Sequence, residues 1–129
     1  MAESRAPVRV LIADDHRLFA EALEAVLSTE QRIQVVGRAA DGSEAVELAR
    51  ELEPDVVTLD LSMPVLDGFE AAARLEQLER PPAVLVLTGS NAPEDVERAH
   101  RAGVKGYLTK DSIAAQLVDA IHAAAGLAA

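Results

Sequence analysis

The chain has 129 residues, half of them hydrophobic and 26% charged, with a formal net charge of −10 and no cysteine. That balance fits one globular domain. It excludes a disulfide framework and cysteine-ligated zinc, and no apolar run nears the roughly 20 residues of a membrane span. An acidic chain with two lysines, Lys105 and Lys110, and scattered arginines is repelled by phosphate backbones, so neither nucleic-acid nor membrane binding is expected, and the protein should be cytoplasmic.

Residues 1–7 lack an apolar signal-peptide core and are expected to be a flexible N-terminal segment. Residues 8–13 (VRVLIA) have the length and composition of a buried strand. Leu18, Phe19, Ala22, Leu23, Val26 and Leu27 then lie on one helical stripe. Residues 33–37 form a second strand. A second helix follows, marked by Ala45, Leu48, Ala49 and Leu52 and opened by Asp41 and Glu44 at capping-box spacing. Residues 56–59, after Pro54, are a third strand. Residues 67–78 are helical, with Asp67 as cap, while Pro64 and Gly68 shape the loop before them. Residues 83–87, introduced by Pro81 and Pro82, are a fourth strand. A helix over 94–101 ends at Gly103, the position for a left-handed cap. Residues 104–108 are a fifth strand, and Ile113, Leu117, Ala120, Ile121 and Ala124 line a last helix.

This is βα repeated five times. Continuous apolar strands, not alternating ones, point to an α/β fold with a parallel sheet covered on both faces. Residues 8–125 would be the domain, and 126–129 a tail or the start of a linker.

In open parallel sheets, ligands gather outside the carboxyl ends of the strands. Asp14 and Asp15 follow strand 1, Asp60 follows strand 3, Thr88 strand 4 and Lys110 strand 5. Three carboxylates, a hydroxyl and an ammonium are thereby directed to one edge. Crowded carboxylates repel unless a cation lies between them, and oxygen donors without cysteine or histidine favour Mg²⁺. A phosphoryl group brought to Asp60 would meet that ion, Lys110 and Thr88, and an aspartyl-phosphate is established nucleophile chemistry.

Four stretches carry a resemblance: Asp14-Asp15, residues 60–68 (DLSMPVLDG), Thr88-Gly89, and residues 102–110 (AGVKGYLTK). In that order they resemble the receiver domain of bacterial two-component response regulators, over nearly the whole chain. The ending Gly106-Tyr107-Leu108-Thr109-Lys110, followed by Asp111, is most similar to the subfamily carrying a helix-turn-helix (LuxR-type) DNA-binding output. The resemblance implies a doubly wound, flavodoxin-like (βα)5 sheet of order 2-1-3-4-5. It implies that Asp60 accepts a phosphoryl group from a sensor histidine kinase. Asp15, Asp60 and the backbone carbonyl of Ser62 would ligate Mg²⁺, with Asp14 assisting, commonly through water. Lys110 would pair with the acidic cluster and then with the phosphoryl group. Thr88 and Tyr107 would be the switch residues, and Gly89 would leave the phosphate reachable. Ser62 and Ser90 would tune hydrolysis. The output face would be helix 4, strand 5 and helix 5, with homodimerisation on phosphorylation left open and DNA bound only if a further domain follows.

Other readings stand beside these. Asp14 and Asp15 are suited to capping the first helix, and both roles can coexist. Thr88 and Tyr107 also suit a strand and its core. His16, His100 and His122 share no interpretable spacing. There is no GxGxxG or P-loop lysine for a nucleotide. A phosphohydrolase with an aspartyl nucleophile would want a D-x-D after strand 1, where this chain has Asp14-Asp15-His16. A phosphorylation-independent module would be expected to have lost part of the set, which is complete.

Overall fold

Five short runs of β-branched and aliphatic residues pair into one parallel sheet. The computed structural model describes residues 6–63, 65–89, 92–110 and 116–126. Its strands are β1 (Val8–Ala13), β2 (Ile33–Ala39), β3 (Val56–Leu59), β4 (Ala83–Thr88) and β5 (Gly106–Thr109). The helices between and after them are α1 (Arg17–Leu27), α2 (Gly42–Leu52), α3 (Gly68–Glu76), α4 (Pro93–Arg101) and α5 (Leu117–Ala124). The sheet order is β2-β1-β3-β4-β5, the flavodoxin-like order. Ala13 lies beside Leu59 across the β1–β3 pair, so the two strands that precede the acidic residues end side by side.

The pleat sends alternate residues to opposite faces, and each face has its own core. Leu11, Ala13, Val57, Leu59, Val84 and Val86 pack against α2, α3 and Ala99 of α4. Val10, Ile12, Val56, Leu85 and Leu87 pack against Ala20, Leu23 and Leu27 of α1 and Leu117 and Ile121 of α5. Burial on both faces is the reason the central strands read as unbroken apolar runs. The edge strands β2 and β5 are only partly covered.

Local chemistry sets the element ends. The Asp41 carboxylate accepts from the Glu44 amide at 2.7 Å, and Glu44 accepts in turn from the Ala40 amide. Asp67 accepts from the Glu70 amide at 2.9 Å, as its spacing predicts. Gly103 takes a φ of +85° after α4. Its turn explains a difference from the sequence reading: the Val104 amide bonds back to the Ala99 carbonyl, so pairing with β4 begins only at the Lys105 amide. β5 therefore runs from Gly106 to Thr109, not over 104–108.

The stripe assigned to α1 is also corrected. Leu18 is 80% and Val26 54% exposed, and Ala22 is exposed too; the buried face is Ala20, Leu23 and Leu27. The apolar positions form a band wider than the sheet can cover. Pro64, Ser90, Asp111 and Ile113 lie outside the described residues.

Candidate functional site

Two backbone bonds place the acidic residues. The Asp14 amide donates to the Ala39 carbonyl on β2, and the Asp60 amide donates to the Ala13 carbonyl on β1, each at 3.0 Å. These continue the ladders one residue past the strands, at the β1–β3 junction where the strand order changes direction. Asp14 and Asp60 are thereby held in the floor of the site, 5% and 2% exposed, with Asp15 at the rim.

Glycine lets the next loop close over them. The Gly68 amide donates to the Leu61 carbonyl at 3.1 Å, and a Cβ on Gly68 would overlap the Asp60 carbonyl oxygen and the Leu61 Cα. Gly42 is equally tight against the Leu66 backbone of the same loop. Within that loop Val65 takes a φ of +70°, a left-handed conformation that a β-branched residue adopts only against strain.

Lys110, just beyond β5, reaches into this floor. Its Nζ lies 2.8 Å from Asp14 Oδ2 and donates to Asp60 Oδ2 at 3.3 Å. The ammonium also stands 4.4 Å from the centroid of the Phe19 ring, a cation–π contact that orients it from α1. Asp60 Oδ1 accepts from the Ser62 amide at 3.2 Å. Burial pushes the Asp60 carboxyl above its ordinary value of 3.8; the Ser62 amide and the Lys110 ammonium oppose that rise, while the Asp14 charge adds to it.

The strand-end residues named from the sequence meet these placements unevenly. Asp14, Asp15, Asp60 and Lys110 share one cluster. Thr88 is buried at the end of β4 on the same sheet edge, and Ser62 meets Asp60 through its amide. Gly89 is exposed, and a Cβ added there would meet nothing. Tyr107 is partly buried against the core on the α2–α3–α4 side of the sheet.

One residue joins the cluster that sequence reasoning left without a role. His16 Nδ1 lies 3.4 Å from Asp14 Oδ1, 3.7 Å from Asp15 Oδ1, 3.8 Å from Asp60 Oδ2 and 3.2 Å from Lys110 Nζ. The signal was its place directly after Asp14-Asp15, not any spacing to another histidine. Asp14 does not serve as the cap of α1; His16 holds that position without a side-chain cap bond, and its amide donates to Asp14 Oδ1 at 2.8 Å.

Chemically the site offers two nearly dry carboxylates, a third at the rim, and one ammonium between the buried pair. Three carboxylates against one ammonium leave a formal excess of negative charge that a divalent cation would offset. The donors are hard oxygens of the kind Mg²⁺ takes, so the residues present fit that ion.

Residues 10–122 match the response regulator receiver domain family. The chain is 43% identical over 117 residues to the transcriptional regulatory protein LiaR of Bacillus subtilis, covering 91% of this chain and 56% of that protein. The structure matches the signal receiver domain of the response regulator NarL from Mycobacterium tuberculosis with a TM-score of 0.90 at 38% identity, over 95% of this chain and 98% of that one. It matches a LuxR-family two-component response regulator from Aurantimonas with a TM-score of 0.88 at 34% identity, over 94% of this chain and 86% of that one. The chain spans about half the length of the LiaR relative. With its sheet order, its acidic junction and its likeness to LuxR-family regulators, the chain belongs to the response regulator receiver domain family.

Proposed function

We propose that the chain is a phosphorylation-controlled switch in which Asp60 accepts a phosphoryl group from a histidine kinase. Receiver domains of this family are phosphorylated by histidine kinases and bind Mg²⁺ at an acidic pocket. The observation that carries the reading here is the Lys110 ammonium lying against both buried carboxylates, Asp14 and Asp60.

Asp15, Asp60 and the Ser62 carbonyl would hold the metal, with Asp14 assisting. When bound, Mg²⁺ offsets the carboxylate charge and the charge on the phosphoryl oxygens. The Asp60 oxygen forms the new O–P bond as the P–N bond of the donor phosphohistidine breaks, and the donor imidazole keeps that electron pair. Lys110 already touches the nucleophile, so a short shift brings its ammonium to the incoming oxygens. Raised by burial, the Asp60 carboxyl is a more basic nucleophile than an exposed aspartate, and Lys110 opposes its protonation. The exposed Leu18, beside His16 and Phe19 at the mouth, offers an apolar contact for the kinase.

Thr88 then moves toward the phosphoryl group and Tyr107 reorients with it, altering the face made by α4, β5 and α5. Ser62 and Ser90 tune hydrolysis, and Gly89 keeps the phosphoryl group reachable. Residues 8–125 form the switch. The longer LiaR relative, of which this chain covers 56%, is named a transcriptional regulatory protein, so the output proposed is transcription through a DNA-binding domain outside these residues. Turnover is self-directed and does not extend to external substrates.

The test is incubation with Mg²⁺ and acetyl phosphate followed by intact-mass measurement. The expected result is a single phosphate adduct that is absent from Asp60→Asn. Turnover of unrelated phosphate esters would replace the switch by a phosphohydrolase. Absence of any adduct would leave an interaction module.

A further inference from the structure

The acidic site holds a donor atom that an all-oxygen site lacks. His16 Nδ1 and one oxygen each from Asp14, Asp15 and Asp60 lie within 4.8 Å of one another. Ligand atoms bound to one small divalent ion at about 2.0–2.2 Å stand roughly 3–4 Å apart. The separations of 3.4, 3.7 and 3.8 Å from Nδ1 to the three carboxylates fall in that range.

Packing does not account for the ring's position, since the His16 side chain is 67% exposed. Capping does not either, since it makes no side-chain cap bond. Its backbone is anchored: the amide donates to Asp14, and the carbonyl accepts from the Ala20 amide in the first turn of α1. Nδ1 is the ring atom turned inward, 3.2 Å from the Lys110 ammonium; in the tautomer that carries its proton on Nε2, its lone pair accepts from that ammonium, which can only donate. Lys110 does not depend on this contact, since its shorter contact is the 2.8 Å one to Asp14. Nδ1 is therefore available to a cation without loss of the lysine's main contact.

We infer that His16 is a fourth protein donor to the cation in this site and shifts its preference from Mg²⁺ toward late first-row divalent ions such as Zn²⁺, Ni²⁺ and Co²⁺. The inference rests on the divalent-cation site of the proposed switch. Imidazole suits zinc, nickel and copper, whereas Mg²⁺ takes oxygen ligands and retains its waters. Exchanging one water for Nδ1 stabilises the late ions and does little for Mg²⁺. His16 is then a specificity-determining residue for the metal.

The experiment is a Zn²⁺ titration of the ¹⁵N-labelled chain, following the ring nitrogens of all three histidines. Calorimetric Zn²⁺ and Mg²⁺ affinities of wild type and His16→Ala accompany it. The Nδ1 resonance of His16 should shift with saturating Zn²⁺ while those of His100 and His122 stay in place. The ratio of Zn²⁺ to Mg²⁺ affinity should fall at least about tenfold in His16→Ala, a loss no smaller than that from removing a group behind a metal ligand. An unmoved His16 resonance, a shift confined to His100 or His122, or an unchanged affinity ratio overturns the inference. Wild type treated with Mg²⁺ and acetyl phosphate separates the two readings: an adduct there leaves the switch standing even when His16 fails.

Discussion

Replacing Asp60 by asparagine should make the metal-free protein more stable. The side chain is 3% exposed, and its two charge-stabilising contacts are long, 3.3 Å to Lys110 and 3.2 Å to the Ser62 amide. Well-formed charge-assisted bonds of this kind run about 2.7–2.9 Å, so the ionised carboxylate is under-compensated and burial dominates. Asparagine keeps an acceptor for the Ser62 amide and removes one of three crowded charges. The backbone bond from residue 60 to Ala13 is untouched. Relief of a destabilising functional group of this sort yields about 1–2 kcal/mol, or roughly 3–8 °C in Tm for a domain of this size.

The pH dependence gives the sharper check. The folded-state value of Asp60 lies above the ordinary 3.8, so between the two the folded state holds more protons than the unfolded one. Stability from this group is then present at low pH and lost as pH rises through the raised value. The advantage of Asp60→Asn should be full at pH 7.5 and shrink as pH falls toward 3.8. Urea unfolding in EDTA across that range measures it. Mg²⁺ at about 100 times its Kd should stabilise wild type by about 2.7 kcal/mol and erase the advantage. A variant no more stable than wild type at pH 7.5 without metal, or one whose advantage ignores pH, refutes the reasoning.

Three further outcomes are expected. Lys110→Ala leaves Asp14 and Asp60 without their ammonium and should destabilise the fold by about 2–4 kcal/mol in urea, with the Asp60 carboxyl titrating higher still by carbonyl NMR. Gly68→Ala drives a methyl into the Asp60 carbonyl and should cost about 2–3 kcal/mol while slowing adduct formation with acetyl phosphate, read by intact mass. Asp67→Ala removes the cap on the Glu70 amide and should lower the unfolding free energy by about 1 kcal/mol, visible as a reduced urea midpoint with an unchanged slope.

Much of the site was legible because parallel strands share one direction. Whatever follows each strand must emerge at the same edge, so Asp14, Asp15, Asp60, Thr88 and Lys110 could be placed together from periodicity alone. The caps at Asp41 and Asp67 and the turn at Gly103 were legible for a similar reason, since each depends on residues three or four apart. The start of β5 was not, because Val104 looks like a strand residue while its amide is already taken by Ala99. Nor was the buried face of α1: Leu18 and Val26 have the hydropathy of core residues, and only the position of the sheet leaves them in solvent.

The amino-acid sequence by itself determined the βα alternation, the strand-end chemistry and the acidic character of the chain. Tertiary structure decided which strands are neighbours, and so which carboxylates meet across the β1–β3 junction. It also decided that Gly68 must lack a side chain against Asp60, that Phe19 orients Lys110, and that His16 turns its ring into the cluster. Each of these contacts joins residues from different segments or depends on a side-chain direction. Local propensity carries no information about either until the sheet is assembled.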